Sequence, residues 1–95
     1  MGIALARGPK EELRIVNISV SGAFLETGCA IPVGKIMDLD LRLDDDTIVA
    51  LTATVVRVQP PDWRRTGGVG VAFTSVPEES ARLLEAFVEP NPRAA

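Results

Sequence analysis

Apolar and polar residues alternate along much of the chain, most strictly where Met37, Leu39, Leu41 and Leu43 interleave with Asp38, Asp40 and Arg42. That spacing puts the apolar side chains on one face of an extended backbone and predicts a strand over 37–43. Ahead of it, Ile3 to Arg7 is short and apolar, and Gly8-Pro9-Lys10 closes it with turn residues. Leu13 to Ser19 carries the β-branched Ile15, Val16 and Ile18, and Ser21-Gly22 parts it from a further strand at Ala23-Phe24-Leu25. Thr27-Gly28 and Pro32-Val33-Gly34 punctuate the approach to 37–43. Beyond it, Asp44-Asp45-Asp46 reads as a polar turn and Thr47 to Val58 as a long strand that pairs back in a hairpin. Gln59 to Gly67, with Pro60-Pro61, reads as a loop. Gly68 to Phe73 alternates again, with Val69, Val71 and Phe73 on one face and only Gly70 and Ala72 on the other. Residues that small predict something packed closely over that second face.

The period then changes. Leu83, Leu84, Phe87 and Val88 fall at helical spacing and are expected to pack. Ser75 to Glu78 has the form of a capping box, Pro77 is placed in the first turn, and Pro90-Asn91-Pro92 stops the helix, giving roughly 76–89. Six short strands over roughly 3–74, then one amphipathic helix, predict an all-β fold. The expected form is a small six-stranded antiparallel barrel with a C-terminal α-helix over an opening or edge. Ninety-five residues are enough for one core, so 1–95 is expected to be a single domain.

Composition narrows the chemistry. With no histidine and a single cysteine, Cys29, the usual zinc sites, a histidine-based triad and an internal disulfide are all excluded. No nucleophile has a visible base, so no enzyme is expected, and Cys29, without a CxxC partner, reads as inert. The aspartates at 38, 40 and 44–46 lack the glycine and terminal glutamate of a calcium loop and read as a solvated strand face and turn, not a metal site. A net charge of −3 argues against a nucleic-acid-coating protein. No apolar run approaches the length of a membrane span, and residues 1–7 lack a signal-peptide layout, which points to the cytoplasm. Arg57, Arg64 and Arg65 with Trp63 form a candidate basic and aromatic contact patch. The plainer alternative is a loop whose tryptophan tucks onto the barrel.

Asn17-Ile18-Ser19-Val20-Ser21-Gly22, flanked by Arg14-Ile15-Val16 and Ala23-Phe24-Leu25-Glu26-Thr27, resembles the Asp/Asn-x-Ser-x-x-Gly signature of PilZ domains. Pro32-Val33-Gly34, Val55-Val56-Arg57, Gly68-Val69-Gly70-Val71-Ala72-Phe73 and the acidic-capped helix follow in that family's order, so the resemblance covers essentially the whole chain. It implies a bacterial signalling domain that binds cyclic di-GMP on the outside of a six-stranded barrel and acts through a protein partner. By the same resemblance Asn17, Ser19 and Gly22 would form the receptor surface. The amide and hydroxyl would meet a guanine edge, and the glycine would allow a tight turn or close approach of the ligand.

The family's other signature is an Arg-x-x-x-Arg arm ahead of the first strand, whose guanidinium forks can clamp phosphates. Lys10 and Arg14 have that spacing but stand too close to Asn17, so the arm would have to lie before Met1. Either such an arm precedes Met1 in a longer chain, or the domain belongs to a branch that binds the nucleotide poorly. Binding by this chain is therefore expected to be weak or absent, each lost bidentate contact costing on the order of 1–3 kcal/mol. The alternative function is a ligand-independent protein-interaction adaptor of the same fold. An oligonucleotide-binding barrel fits less well, because the chain has no tyrosine and little aromatic surface on which bases could stack.

Overall fold

The alternating segment that opened the sequence becomes the wall of a barrel: Met37, Leu39, Leu41 and Leu43 are buried while Asp38 and Arg42 face outward. The computed structural model describes residues 2–6, 11–28, 31–64 and 66–88. The turn expected at Gly8-Pro9-Lys10, Cys29, Arg65 and the stop at Pro90-Asn91-Pro92 lie outside them. The strands are β1 (Gly2–Ala6), β2 (Glu11–Ile18), β3 (Gly22–Glu26), β4 (Ile36–Asp44), β5 (Thr47–Gln59) and β6 (Gly68–Ser75). All pairings are antiparallel, and the order β1-β2-β3-β6-β5-β4 closes on itself through β1 and β4. Closure removes the exposed strand edges that an open sheet would have to protect.

Inward positions from every strand meet in one core, from Ala4 and Ala6 of β1 through Leu13, Leu25 and Leu51 to Val69 and Val71 of β6. Each leucine buried this fully contributes about 1.5–3 kcal/mol relative to exposure. The connection from β3 to β4 ends in a tight turn in which the Lys35 N–H donates to the Pro32 carbonyl at 3.2 Å. Gly34 sits there at φ +96°, a backbone conformation open to glycine at little cost.

The β4–β5 hairpin turns on Asp44, whose Oδ1 accepts the Asp46 N–H at 2.9 Å. That bond, helped by one from the Thr47 side chain, favours the charged carboxylate and holds its pKa below the usual value. A lowered folded-state pKa stabilises the fold above the ordinary aspartate range, and the contribution disappears as pH falls through the lowered value. Asp44→Ala is therefore expected to melt below the wild type at neutral pH. Thermal melts taken down to about pH 2 should show the two curves converge.

The helix α1 (Glu78–Val88) packs along β5. Leu84 enters the core, Phe87 and Val88 pack against it, and the Ser80 hydroxyl donates to the Ala50 carbonyl at 2.7 Å. Two details differ from the sequence reading. Ser75 is the last residue of β6, paired with Thr52, and the Pro77 carbonyl takes the first helical hydrogen bond, from Ala81 at 2.8 Å. Strand pairing thus claims the serine that a capping box would have used. Leu83 is 39% exposed, because a helix lying against one strand buries a narrower stripe than its four apolar residues could fill.

Candidate functional site

Two irregularities in the barrel wall build the site. In β2 the odd-numbered Leu13 and Ile15 are buried, so an unbroken strand would also bury Asn17. The ladder slips instead: Ile15 pairs with Leu25 but Asn17 with Phe24, leaving Val16 as the extra residue of a β-bulge. Asn17 is thereby turned outward, and Ile18 packs against the core. β5 repeats the device. Val49, Leu51, Ala53 and Val55 point inward, and a slip between Val55 and Arg57, with Val56 extra, turns Arg57 outward.

Strand order brings the two polar side chains onto one row. Asn17 of β2 pairs with Phe24 of β3, Phe24 with Gly70 of β6, and Gly70 with Arg57 of β5. The Arg57 guanidinium lies 5.8 Å from the Phe24 ring centroid, close enough for a cation–π attraction. These two side chains also cover the small-residue face of β6. A Cβ at Gly68 would meet the Phe24 ring at 2.7 Å, and one at Gly70 would touch Arg57 at 3.5 Å.

The turn between β2 and β3 forms one end of the row. The Ser19 N–H donates to the Gly22 carbonyl at 2.8 Å, and the Ser19 Oγ accepts the N–H groups of Gly22 and Ser21 at 3.2 and 3.3 Å. The Ser19 hydroxyl is therefore the clasp of this turn. The turn is pinned to β6 by the Phe73 N–H, which donates to the Ser21 carbonyl at 2.9 Å. Gly22 closes the turn, and a Cβ there would lie 2.4 Å from the Val71 carbonyl oxygen, so close packing against the backbone of β6 by itself calls for glycine.

Asn17, Ser19, Gly22, Phe24, Val56 and Arg57 line a shallow concavity of about 470 Å³ on the outer surface. Arg57 is the one charged side chain among its described lining residues. The set combines a forked cation, a carboxamide that can both donate and accept, and an aromatic and aliphatic floor. That chemistry suits a planar heterocycle carrying an anionic group. The basic and aromatic patch expected around Trp63 divides. The bulge at Val56 carries Arg57 to the row, while Trp63 and Arg64 line a separate concavity between β5 and β6, and Trp63 is 87% exposed, not tucked onto the barrel. Phe24 and Val56 are site residues that the sequence reading did not single out. For Phe24 the signal was present, since it stands between the inward Ala23 and Leu25 and so must face out.

A family model described as the PilZ domain matches residues 4–89, the barrel from within β1 onward and the helix. The chain belongs to the PilZ family. It is thus a non-catalytic signalling domain of the cyclic di-GMP receptor class. No curated protein matches it in sequence. Among solved structures, this PilZ barrel is similar to the inhibitor of motility MotI/DgrA of Bacillus subtilis, with a TM-score of 0.80 and 14% identity over 92% of this chain and 44% of that one. It is similar also to the PilZ domain of YcgR from Escherichia coli, solved with cyclic di-GMP, with a TM-score of 0.73 and 13% identity over 97% and 82%. A third likeness is to PlzA of Borreliella burgdorferi in complex with cyclic di-GMP, with a TM-score of 0.57 and 16% identity over 93% and 32%. The chain spans less than half the length of MotI/DgrA. At these identities the likeness is one of fold, a six-stranded antiparallel barrel with a C-terminal helix. No helix among the described residues is long and apolar enough to cross a membrane.

Proposed function

We propose that this PilZ domain binds cyclic di-GMP on the outer face of β2, β3, β6 and β5, weakly as a 95-residue chain, and passes the signal on through contact with a protein partner. The observation that carries the reading is the row Asn17, Phe24, Gly70 and Arg57, in which two separate bulges turn a carboxamide and a guanidinium toward the same concavity. Asn17 supplies the donor and acceptor for a guanine edge, and Arg57 supplies charge for a phosphate or a planar cation for a base. Ser19 and Gly22 act one step back, the first by clasping the turn and the second by letting β3 lie close to β6. Weak affinity follows from the charge balance, because a single guanidinium in the described lining faces a ligand with two phosphates. Val16, Val20 and Val56 stay exposed along β2, in the turn and on β5, an apolar margin of the kind a protein partner covers. A receptor for an intracellular messenger works in the cytoplasm.

Isothermal titration with cyclic di-GMP tests this reading. Asn17→Ala is expected to weaken binding by about tenfold or more, the loss of one or two hydrogen bonds to a polar ligand edge, while the melting temperature stays close to that of the wild type. Undiminished binding by a folded Asn17→Ala variant would remove the motif from the ligand contact.

A further inference from the structure

A second feature of the surface lies away from the row. The loop between β5 and β6 presents Trp63 at 87% exposure, with the Arg64 guanidinium 4.7 Å from the ring centroid. The presentation is braced at both ends. Asp62 Oδ1 accepts the Arg64 N–H at 2.8 Å, and the Thr27 N–H donates to the Gly67 carbonyl at 3.0 Å, tying the loop's return to the end of β3. An indole held out in this way leaves a large apolar area in water, and tryptophan and arginine are the residues that most often anchor protein contacts.

Beside the loop is its complement. A concavity of about 490 Å³ is lined by Glu11, Glu12 and Glu26 over an apolar floor that includes Leu13, and Thr66 borders both it and the Trp63 loop. Its one described cation, Arg14, is taken up by Glu26 at 3.2 Å. Glu11 Oε2 is buried with no hydrogen-bond partner among the described residues, an acceptor that calls for a donor. An aromatic and cationic knob thus adjoins an acidic and apolar hole on one surface. That is the self-complementary arrangement that a two-fold pair of identical subunits requires, since each copy then offers its knob to the other's hole.

We propose that the chain docks to a second copy of itself, Trp63 and Arg64 of each copy entering the acidic concavity of the other. At a net charge of −3 per chain two copies repel each other at long range, so the contact depends on this local complementarity. A membrane surface is the poorer partner for the same loop, because the neighbouring concavity is acidic.

Sedimentation velocity over a concentration series, with emission read in parallel from the chain's single tryptophan, tests the proposal. The expected result is a concentration-dependent dimer whose formation shifts the Trp63 emission to the blue and shields it from acrylamide. Trp63→Ala, Arg64→Glu and Glu12→Arg should each weaken dimerisation roughly tenfold or more. All three positions are exposed, so melts of the variants should match the wild type. An equimolar mixture of Arg64→Glu with Glu12→Arg should dimerise again, because each variant then offers the charge the other needs. A wild type that stays monomeric at millimolar concentration with solvent-exposed emission overturns the proposal, as does a dimer indifferent to Trp63→Ala or a charge-reversed mixture that stays apart. A blue shift seen only on adding anionic phosphatidylglycerol vesicles overturns it too, and assigns the loop to a lipid surface.

Discussion

Gly22→Ala is expected to destabilise the barrel by about 1–3 kcal/mol, the cost of forcing an extra carbon into a packed contact. For a domain of this size that is a fall in melting temperature of roughly 5–20 °C. The methyl would stand 2.4 Å from the Val71 carbonyl oxygen, and that oxygen belongs to the backbone of β6, which cannot swing aside as a side chain could. Relief requires β3 and β6 to part, and the turn clasped by Ser19 would move with β3. Ligand affinity should therefore fall with stability. Thermal melts followed by circular dichroism, without ligand, decide the matter. A variant that melts with the wild type yet has lost the nucleotide would place the glycine in ligand contact instead.

Arg57→Glu should show the opposite pattern. Arg57 is exposed and its described neighbours are the Phe24 ring and Gly70, so the substitution should alter stability by less than about 1 kcal/mol. Binding, in contrast, loses the charged lining residue and gains a like charge facing phosphate, which should lower affinity by roughly a hundredfold or more and bring titration heats to the baseline. Arg57→Lys separates the two contributions of the guanidinium. Recovery of only part of the affinity would show that the flat fork matters beyond its charge. A folded Arg57→Glu variant that binds as well as the wild type would exclude Arg57 from the site.

The barrel could be read from the sequence because its strands obey period two and its inward residues are apolar at nearly every turn of that period, β4 most plainly. The helix could be read from the change of period at Leu84, Phe87 and Val88. The composition of the site was legible only in part. Asn17, Ser19 and Gly22 stood out as a motif, but nothing in it tied them to Arg57, which lies far along the chain. The tie is made by the bulges at Val16 and Val56. A valine inserted into a β-branched run leaves no mark in composition, and only the ladder shows that the face has changed. Strict alternation would have placed both Asn17 and Arg57 in the core. Trp63 and Leu83 show the same limit, since apolar character states a preference for burial, while tertiary packing decides which residues obtain it.

A two-dimensional ¹H–¹⁵N NMR titration of the chain with cyclic di-GMP, which registers even weak binding residue by residue, decides whether the row from Asn17 to Arg57 is the receptor surface. The expected result is a set of saturable shifts concentrated at Asn17, the turn from Ser19 to Gly22, Phe24, Gly70 and Arg57. The Trp63 indole and the helix should be left in place. Shifts centred on another surface, or none at millimolar ligand, would contradict that assignment.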